Sequence, residues 1–202
     1  MTAPGGMDAD RVRAILDFWF LPPGDPGHDR YRPAWFRAND AFDAAIRERF
    51  GGDVEAALAG AIAPDPAAAD EVLAAILLLD QFTRNLFRDS ARAFAGDVRA
   101  LALATALVAA GRDKNLPPIR RWFAFMPFEH GETLIDQERS VALFAGLRRE
   151  GQDAAFDAAY DYALRHRDVI ERFGRFPHRN AVLGRVSTAG ELEALTRPEY
   201  RF

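Results

Sequence analysis

The chain has 202 residues, a formal net charge of −4, 49 % hydrophobic residues and no cysteine. The lack of cysteine excludes disulfides, thiolate zinc sites and cysteine nucleophiles, and the acidic balance argues against general binding of nucleic acid. The apolar content predicts a single folded domain over residues 1–202 with a flexible start at 1–9, and no apolar run reaches the ~18 residues of a membrane span. The acidic N-terminus does not match a secretory signal, so we expect a cytoplasmic protein with no membrane partner.

Helical periodicity runs through nearly the whole chain and predicts an all-α fold of about eight or nine helices. No segment alternates as a strand does. Capping residues, prolines and glycines set the predicted boundaries. In chain order the predicted helices are Asp10–Phe20, a helix capped by Asn39 or Asp40 and closed by Gly51-Gly52, Val54–Ile62, a helix opened by Asp65-Pro66 that reaches Asp80, Ala93–Ala110, Pro117–Met126 ended by Pro127, Glu132–Arg149, Asp153–Phe173, and Thr188–Thr196 with Thr188 and Glu191 as a capping box.

Polar residues occupy apolar helix faces in three segments, and the first contains Asp80. Asp80 follows Ile76 and Leu77 by four and three residues, so it shares their buried face. Arg84 is four residues further on and pairs with Asp80 if the helix continues; Asn85 follows it. A buried carboxylate needs such a partner. The Asp80–Arg84 pair is either a structural ion pair or part of a binding site. Without further evidence the structural interpretation is favoured, because structural ion pairs are commoner than functional sites.

The second segment runs from Met126 to Glu138. We expect His130 and Glu132 to flank the start of the following helix, where N–H groups favour an anion. Gln137 and Glu138 lie in or beside the apolar stripe of that helix, so they need partners on neighbouring helices. The alternative is a capping arrangement with Glu132 as a first-turn acid. The predicted stripe is Leu134, Val141, Phe144 and Leu147.

The third segment begins with His166, which lies on the apolar stripe of its helix, three residues after Ala163 and four before Ile170. A single histidine on such a face is more often a core residue than a ligand. Here a constrained turn with glycine and proline follows His166 closely. Ordering the polar side chains of this turn is costly, so we expect them to bind a ligand or to be held by fixed partners. That turn contains Arg175, His178, Arg179 and Asn180.

At these segments the chain resembles the bacterial domain of unknown function 924, a family placed in the tetratricopeptide-like helical superfamily. Thr83 stands where the family usually has proline, and Gly131 where it usually has serine. The resemblance implies antiparallel helix pairs in a short right-handed array, and it implies no activity, because the family has none assigned. The motifs that carry it are Leu79–Asn85, Met126–Glu132, Gln137–Ser140 and Phe173–Asn180.

We favour a buried cluster that binds a small anionic ligand and catalyses acid–base chemistry on it, although whether the chain is an enzyme stays open. Arginine forks suit carboxylate or phosphate, and imidazoles with carboxylates suit proton transfer. The acid–base residues would be His130, Glu132, Glu138, His166 and Asp80, and the binding residues Arg84, Asn85, Gln137, Arg175, His178, Arg179 and Asn180.

Two alternatives belong to other classes of function. One is an interaction scaffold that binds an acidic peptide, with a purely structural polar cluster. The other is a zinc or iron site, although the spacing of its residues matches no compact signature. The sequence names no cofactor, substrate or oligomeric state. The metal ligands would be His130, His166 and His178 with Asp80 or Glu138.

Overall fold

The computed structural model describes residues 6–150, 153–197 and 200. Within these ranges the regular elements are helical and no β-strand occurs, which confirms the predicted all-α class. No helix in the described ranges is long and apolar enough to cross a membrane. The helices are α1 (Ala9–Phe20), α2 (Asp40–Leu58), α3 (Ala69–Ile76), a π-helix (Leu77–Phe82), α4 (Thr83–Leu86), α5 (Asp97–Ala109), α6 (Pro118–Glu129), α7 (Leu134–Glu150), α8 (Ala154–Phe173) and α9 (Ala189–Ala194), with 3₁₀ turns at Pro33–Trp35, Ala91–Phe94, Arg112–Asn115 and Pro177–Arg179.

The chain divides into two compact units. The first comprises Met1–Arg88 with Arg92–Pro127, and the second comprises Asp89–Ala91 with Phe128–Phe202. The first unit therefore holds α1 to α5 and most of α6, and the second holds α7 to α9. A single domain over 1–202 and a tetratricopeptide-like array both stay predictions. Residues 1–5 of the predicted flexible start lie outside the described residues. So do Gly151, which the sequence predicts to end the helix Glu132–Arg149, and Pro198, which follows the predicted helix Thr188–Thr196.

Aromatic side chains fill the core of the first unit. Trp19 of α1 is fully buried at the centre of this core. Its neighbours come from a 3₁₀ turn, α2, the π-helix and α6, so burying their rings together fastens these elements to α1. The ring centre of Trp19 lies 5.4 Å from those of Phe82 and Phe123, 5.6 Å from that of Phe42 and 6.1 Å from that of Trp35.

Where the sequence predicted two helices after Asn39, the structure has one, α2. Asn39 caps it as predicted, because its side chain accepts hydrogen bonds of 3.1 Å from the N–H groups of Ala41 and Phe42. The predicted stop at Gly51-Gly52 is wrong, although glycine inside a helix costs about 1 kcal/mol relative to alanine. Burial of one continuous face outweighs that cost. The buried face is formed by Ile46, Phe50, Val54 and Ala57.

Three further predicted boundaries in the first unit are wrong. Asp65 accepts a 2.8 Å bond from the N–H of Ala67 in a local turn, so α3 begins only at Ala69. α5 begins at Asp97 rather than Ala93, after a 3₁₀ turn. Pro127 lies inside α6, in its last turn, where proline removes one N–H bond without ending the helix.

The predicted caps of the second unit are confirmed. The Asp153 side chain accepts a 2.9 Å bond from the N–H of Ala155 and starts α8. Gly174 has φ +68° and ends α8 in the left-handed region, which glycine adopts without steric penalty. Thr188 and Glu191 make both bonds of the capping box of α9. These caps delimit the turn that carries several predicted site residues.

Candidate functional site

The π-helix carries Asp80 into the core of the first unit. Asp80 is fully buried, and the predicted pair forms, with 3.2 Å between Asp80 Oδ1 and Arg84 Nη1. The Asp80 Oδ2 atom accepts a hydrogen bond from Gln81, and Arg84 Nη1 also donates to the Asp80 carbonyl at 2.7 Å. π-Helices are rare and often stand at functional sites. The sequence periodicity gave no sign of this one.

Arg84 also joins the π-helix to the start of α5. Its Nη1 and Nη2 donate bonds of 2.9 and 3.0 Å to the two carboxylate oxygens of Asp97. Burial alone would lower the pKa of Arg84, but the charges of Asp80 and Asp97 raise it. Asn85 donates a 2.7 Å bond to Asp43. A structural role therefore accounts for Asp80, Arg84 and Asn85, and their role toward a ligand stays a prediction.

In the second unit the structure brings together the end of α6, α8 and the turn after α8. His130 and His166 have ring centres 6.5 Å apart, and His166 Nδ1 lies 3.8 Å from Glu129 Oε1. The Phe176 ring lies 5.4 Å from that of His166 and 5.6 Å from that of His178. The guanidinium of Arg179 lies 4.6 Å from the centre of the Phe176 ring. We call Glu129, His130, His166, His178 and Arg179 the histidine cluster; His178 is half-buried and the other four are buried.

His166 is the most deeply buried imidazole of the cluster, with 3 % of its surface exposed. Its Nδ1 lies 2.9 Å from the carbonyl oxygen of Tyr162, which can only accept, so Nδ1 carries a hydrogen. Burial lowers the pKa of His166 well below its usual 6.5, although the hydrogen bond to Tyr162 acts in the opposite direction and raises it. Positive charge at His130, His178 and Arg179 lowers it further. A neutral ring with hydrogen on Nδ1 has its lone pair on Nε2.

Glu132 lies in the connector between α6 and α7, so its predicted place in the first turn of α7 is wrong. The helix starts later because the Thr133 hydroxyl accepts a 3.1 Å bond from the N–H of Asp136. Glu132 instead accepts a 2.8 Å bond from the N–H of Phe176 and bonds of 2.6 and 3.0 Å from Arg185. Burial would raise the pKa of Glu132, but these bonds and the nearby positive charges lower it.

Arg175, predicted to clamp a ligand, holds the protein chain itself. It donates bonds of 2.6 and 2.8 Å to the carboxylate of Glu191 and a 2.8 Å bond to the carbonyl of Val186. The Arg175 bond is the main cause of the pKa of Glu191 falling to about 2. Arg175 and Arg185 therefore anchor the two ends of the segment 175–186, which we call the 175–186 loop.

The buried face of α7 matches the prediction only in part. Leu134 is 43 % exposed, and Glu138 is exposed, so the predicted place of Glu138 in or beside the apolar stripe is wrong. Gln137, predicted in or beside the stripe, is buried, as are the predicted Phe144 and Leu147. Ser140, which was not predicted, is buried as well. The buried face consists of Gln137, Ser140, Phe144 and Leu147.

Gln137 fixes the backbone on both sides of His130. Its Nε2 donates bonds of 2.7 Å to the carbonyls of Glu129 and Gly131, with the carbonyl of Phe128 at 3.4 Å. Because carbonyl oxygens surround this nitrogen, the orientation of the amide is determined. Oε1 of Gln137 is buried and has no hydrogen-bond donor among the described residues.

Asn180 closes the 3₁₀ turn that carries His178 and Arg179. Its Nδ2 donates a 3.0 Å bond to Ser187 Oγ, and its backbone carbonyl accepts a 2.8 Å bond from the N–H of Arg185. Asn180 is almost fully buried. Within the part of the chain that the structure describes, its Oδ1 has no donor.

Sequence reasoning missed two members of this region. Glu129 directly precedes His130. Its burial could not be inferred from helical periodicity, because Pro127 was predicted to end the helix before it. Arg185 is 53 positions from Glu132, and nothing in its local sequence indicates that pair.

The described residues of the histidine cluster do not form a metal centre. No group of three His, Asp or Glu side chains is placed to hold a metal ion, so geometry gives the zinc or iron hypothesis no support. Two shallow clefts, of about 350 and 400 Å³, lie in the first unit, and no member of the histidine cluster lines them.

Comparison with known proteins places the chain in a family. The family model described as "Bacterial protein of unknown function (DUF924)" matches residues 15–199. A solved structure of a protein of unknown function from Agrobacterium tumefaciens is similar, with 35 % sequence identity and a TM-score of 0.75, covering 93 % of this chain and 97 % of that one. The comparison with curated proteins finds no match. The family model spans nearly the whole chain, and the chain therefore belongs to the DUF924 family of bacterial proteins.

Proposed function

We propose that the histidine cluster binds a small anion and accepts a proton from it at Nε2 of His166. The observation that carries the proposal is a buried, neutral imidazole surrounded by other ionisable groups. Burying such groups is costly, and clusters with perturbed pKa values occur most often at functional sites.

The charges of the cluster favour an anion. Arg179 is buried and permanently positive, and its guanidinium lies over the ring of Phe176, which orients the planar fork. Glu129 is the one carboxylate among the five members, and each of the three imidazoles can add positive charge by protonation. A carboxylate or phosphate is the chemistry that such a fork recognises.

Binding of an anion and protonation of His166 support each other. A negative charge beside the ring stabilises the imidazolium and raises the pKa of His166 from its depressed value. An acidic O–H group of the bound ligand then gives its proton to Nε2 and keeps the electron pair of the broken bond on its oxygen, while Nδ1–H keeps its bond to Tyr162. Glu129, 3.8 Å from Nδ1, adds to the stabilisation of the charged ring. His166 thus acts as a general base that becomes effective when the ligand is bound.

Other predicted residues have a supporting role in this proposal. Glu132 and Arg175 each form a carboxylate–arginine pair that anchors the 175–186 loop. They hold His178 and Arg179 in place without contacting the ligand. The Asp80–Arg84 pair of the first unit has no part in the proposed reaction.

NMR titration of the imidazole signals tests the proposal directly. The chain has four histidines, and His28 contacts Leu21 and Asp29 rather than a member of the cluster, so its signal is an internal control. With succinate or inorganic phosphate as probe, we expect saturable shifts of the His130, His166 and His178 signals and a rise in the pKa of His166. The His28 signal should not move.

Two arginines of the same turn provide a matched pair of variants. Arg179→Gln should weaken probe binding by about tenfold or more, as expected for a charge-assisted bond. Arg175→Gln removes the same charge but only loosens the loop anchor, so affinity should change little. Melting temperatures show whether both variants fold. Absence of any histidine shift, or equal losses in the two folded variants, would contradict an anion site and leave the scaffold hypothesis.

A further inference from the structure

Two buried carboxamides next to the histidine cluster share an unusual pattern of hydrogen bonds. Gln137 and Asn180 both use their NH₂ groups within the second unit, toward backbone carbonyls and toward Ser187 respectively. Both leave the carbonyl oxygen buried with no donor among residues 6–150, 153–197 and 200. The Gln137 amide contacts the backbone of Glu129, and Asn180 directly follows Arg179.

In both residues the group without a partner is a hydrogen-bond acceptor, which limits the chemistry of whatever completes it. A buried carbonyl oxygen without a donor is destabilising, because it has lost its bonds to water. Each oxygen can only accept, so its complement is an O–H or N–H group. One turn of α7 after Gln137, the hydroxyl of Ser140 is also buried and has no partner in the described chain. Native proteins keep such groups where a ligand or an ordered water completes them.

We infer that the ligand is a small anion that also carries hydrogen-bond donors, namely hydroxyl or ammonium groups. This inference rests on the anion site proposed above. Arg179 takes the acid group, while Gln137 Oε1 and Asn180 Oδ1 accept bonds from the donors. Hydroxy acids, amino acids and phosphorylated polyols combine these features. A plain dicarboxylate has the acid groups alone, so it lacks part of what the site recognises.

Three probes of nearly equal size separate the possibilities. Succinate, malate and aspartate have the same two carboxylates, and they carry hydrogen, hydroxyl or ammonium at one carbon. We measure their dissociation constants through the histidine signals of the intact chain. One neutral hydrogen bond is equivalent to about a threefold to tenfold change in affinity, so malate or aspartate should bind about threefold to tenfold more tightly than succinate. Whichever of the two binds better identifies hydroxyl or ammonium as the recognised donor.

A matched pair of variants assigns the preference to Asn180. Asn180→Ala removes Oδ1 together with the bond to Ser187, whereas Ser187→Ala removes only that bond and keeps Oδ1. The preference for a donor-bearing probe should disappear in the first variant and persist in the second. A preference that survives Asn180→Ala overturns the assignment.

The outcomes distinguish this inference from the proposal beneath it. If the three probes bind equally well and their binding still depends on Arg179, the anion site stands and the donor inference is overturned; a buried water then completes the two carbonyls. If no probe shifts the cluster histidines, the anion site is refuted and the inference falls with it. Because the probe comparison uses the unaltered chain, its result does not depend on the folding of any variant.

Discussion

The stability of the protein should decrease as the pH falls below the usual pKa of histidine, because His166 is buried in its neutral form. In the unfolded chain His166 has a pKa of about 6.5, and in the folded chain its pKa is well below that value. Between these two values the unfolded state holds a proton that the folded state lacks. Lowering the pH therefore favours unfolding.

The size of the effect follows from proton linkage. One such proton changes the free energy of unfolding by about 1.4 kcal/mol per pH unit. This loss accumulates with each pH unit below about 6.5 until the pH reaches the folded-state pKa of His166. Carboxylates change the stability at lower pH. The pKa values of Glu132 and Glu191 are lowered in the folded state from 4.5, so their stabilisation is complete above that value and lost below it.

Urea denaturation followed by circular dichroism, at a series of pH values from about 7.5 to about 5, measures this slope. His166→Gln should give a curve whose slope is shallower by up to one proton per molecule. Equal slopes for the wild type and His166→Gln would refute a buried neutral imidazole at this position. The titratable and charged groups that face His166 are Glu129, His130, Tyr162, His178 and Arg179.

Two further predictions concern stability. Gly96→Ala should destabilise the protein by about 1–3 kcal/mol, because a Cβ there would lie 2.1 Å from the carbonyl oxygen of Leu79. Gly146→Ala lies inside α7 with nothing within 4 Å of its added Cβ, so it should stabilise the protein by up to about 1 kcal/mol. Denaturation curves that reverse these signs would contradict the packing described. Glu132→Gln should cost roughly 1–2 kcal/mol at low salt and less at high salt, since the pair with Arg185 is partly exposed. Hydrogen exchange should then become faster in the 175–186 loop, and unchanged exchange would show that this pair does not anchor it.

Local rules were enough to predict much of the helical structure. Asn39, Asp153 and the Thr188–Glu191 box act through bonds within three residues, so their side chains alone indicate where helices start. The Asp80–Arg84 pair follows in the same way from a spacing of four residues. His166 could be placed on a buried face because its neighbours on α8 repeat at regular helical spacing.

Features that depend on distant parts of the chain could not be predicted. Nothing near Gly51-Gly52 indicates that burial on either side carries α2 through them. The burial of Gln137 was expected from its place on α7, but its partners were not, because they are carbonyls left unpaired at the end of α6. Arg185 reaches Glu132 only because the fold brings the end of the 175–186 loop to the connector after α6. Each of these is decided by tertiary packing.

In the anion site that we propose, charge balance couples proton uptake to anion binding. Arg175 and Arg185 each face a carboxylate with two hydrogen bonds, so their charges are compensated in the free protein. In the histidine cluster Glu129 is the one carboxylate beside Arg179 and three imidazoles, so a proton on His166 adds positive charge in a buried place. An anion removes that penalty. By reciprocity, binding must strengthen as the pH falls, by the same factor by which the anion favours protonation. An affinity for succinate or phosphate that does not change with pH would separate the two events and leave Arg179 alone as the binding group.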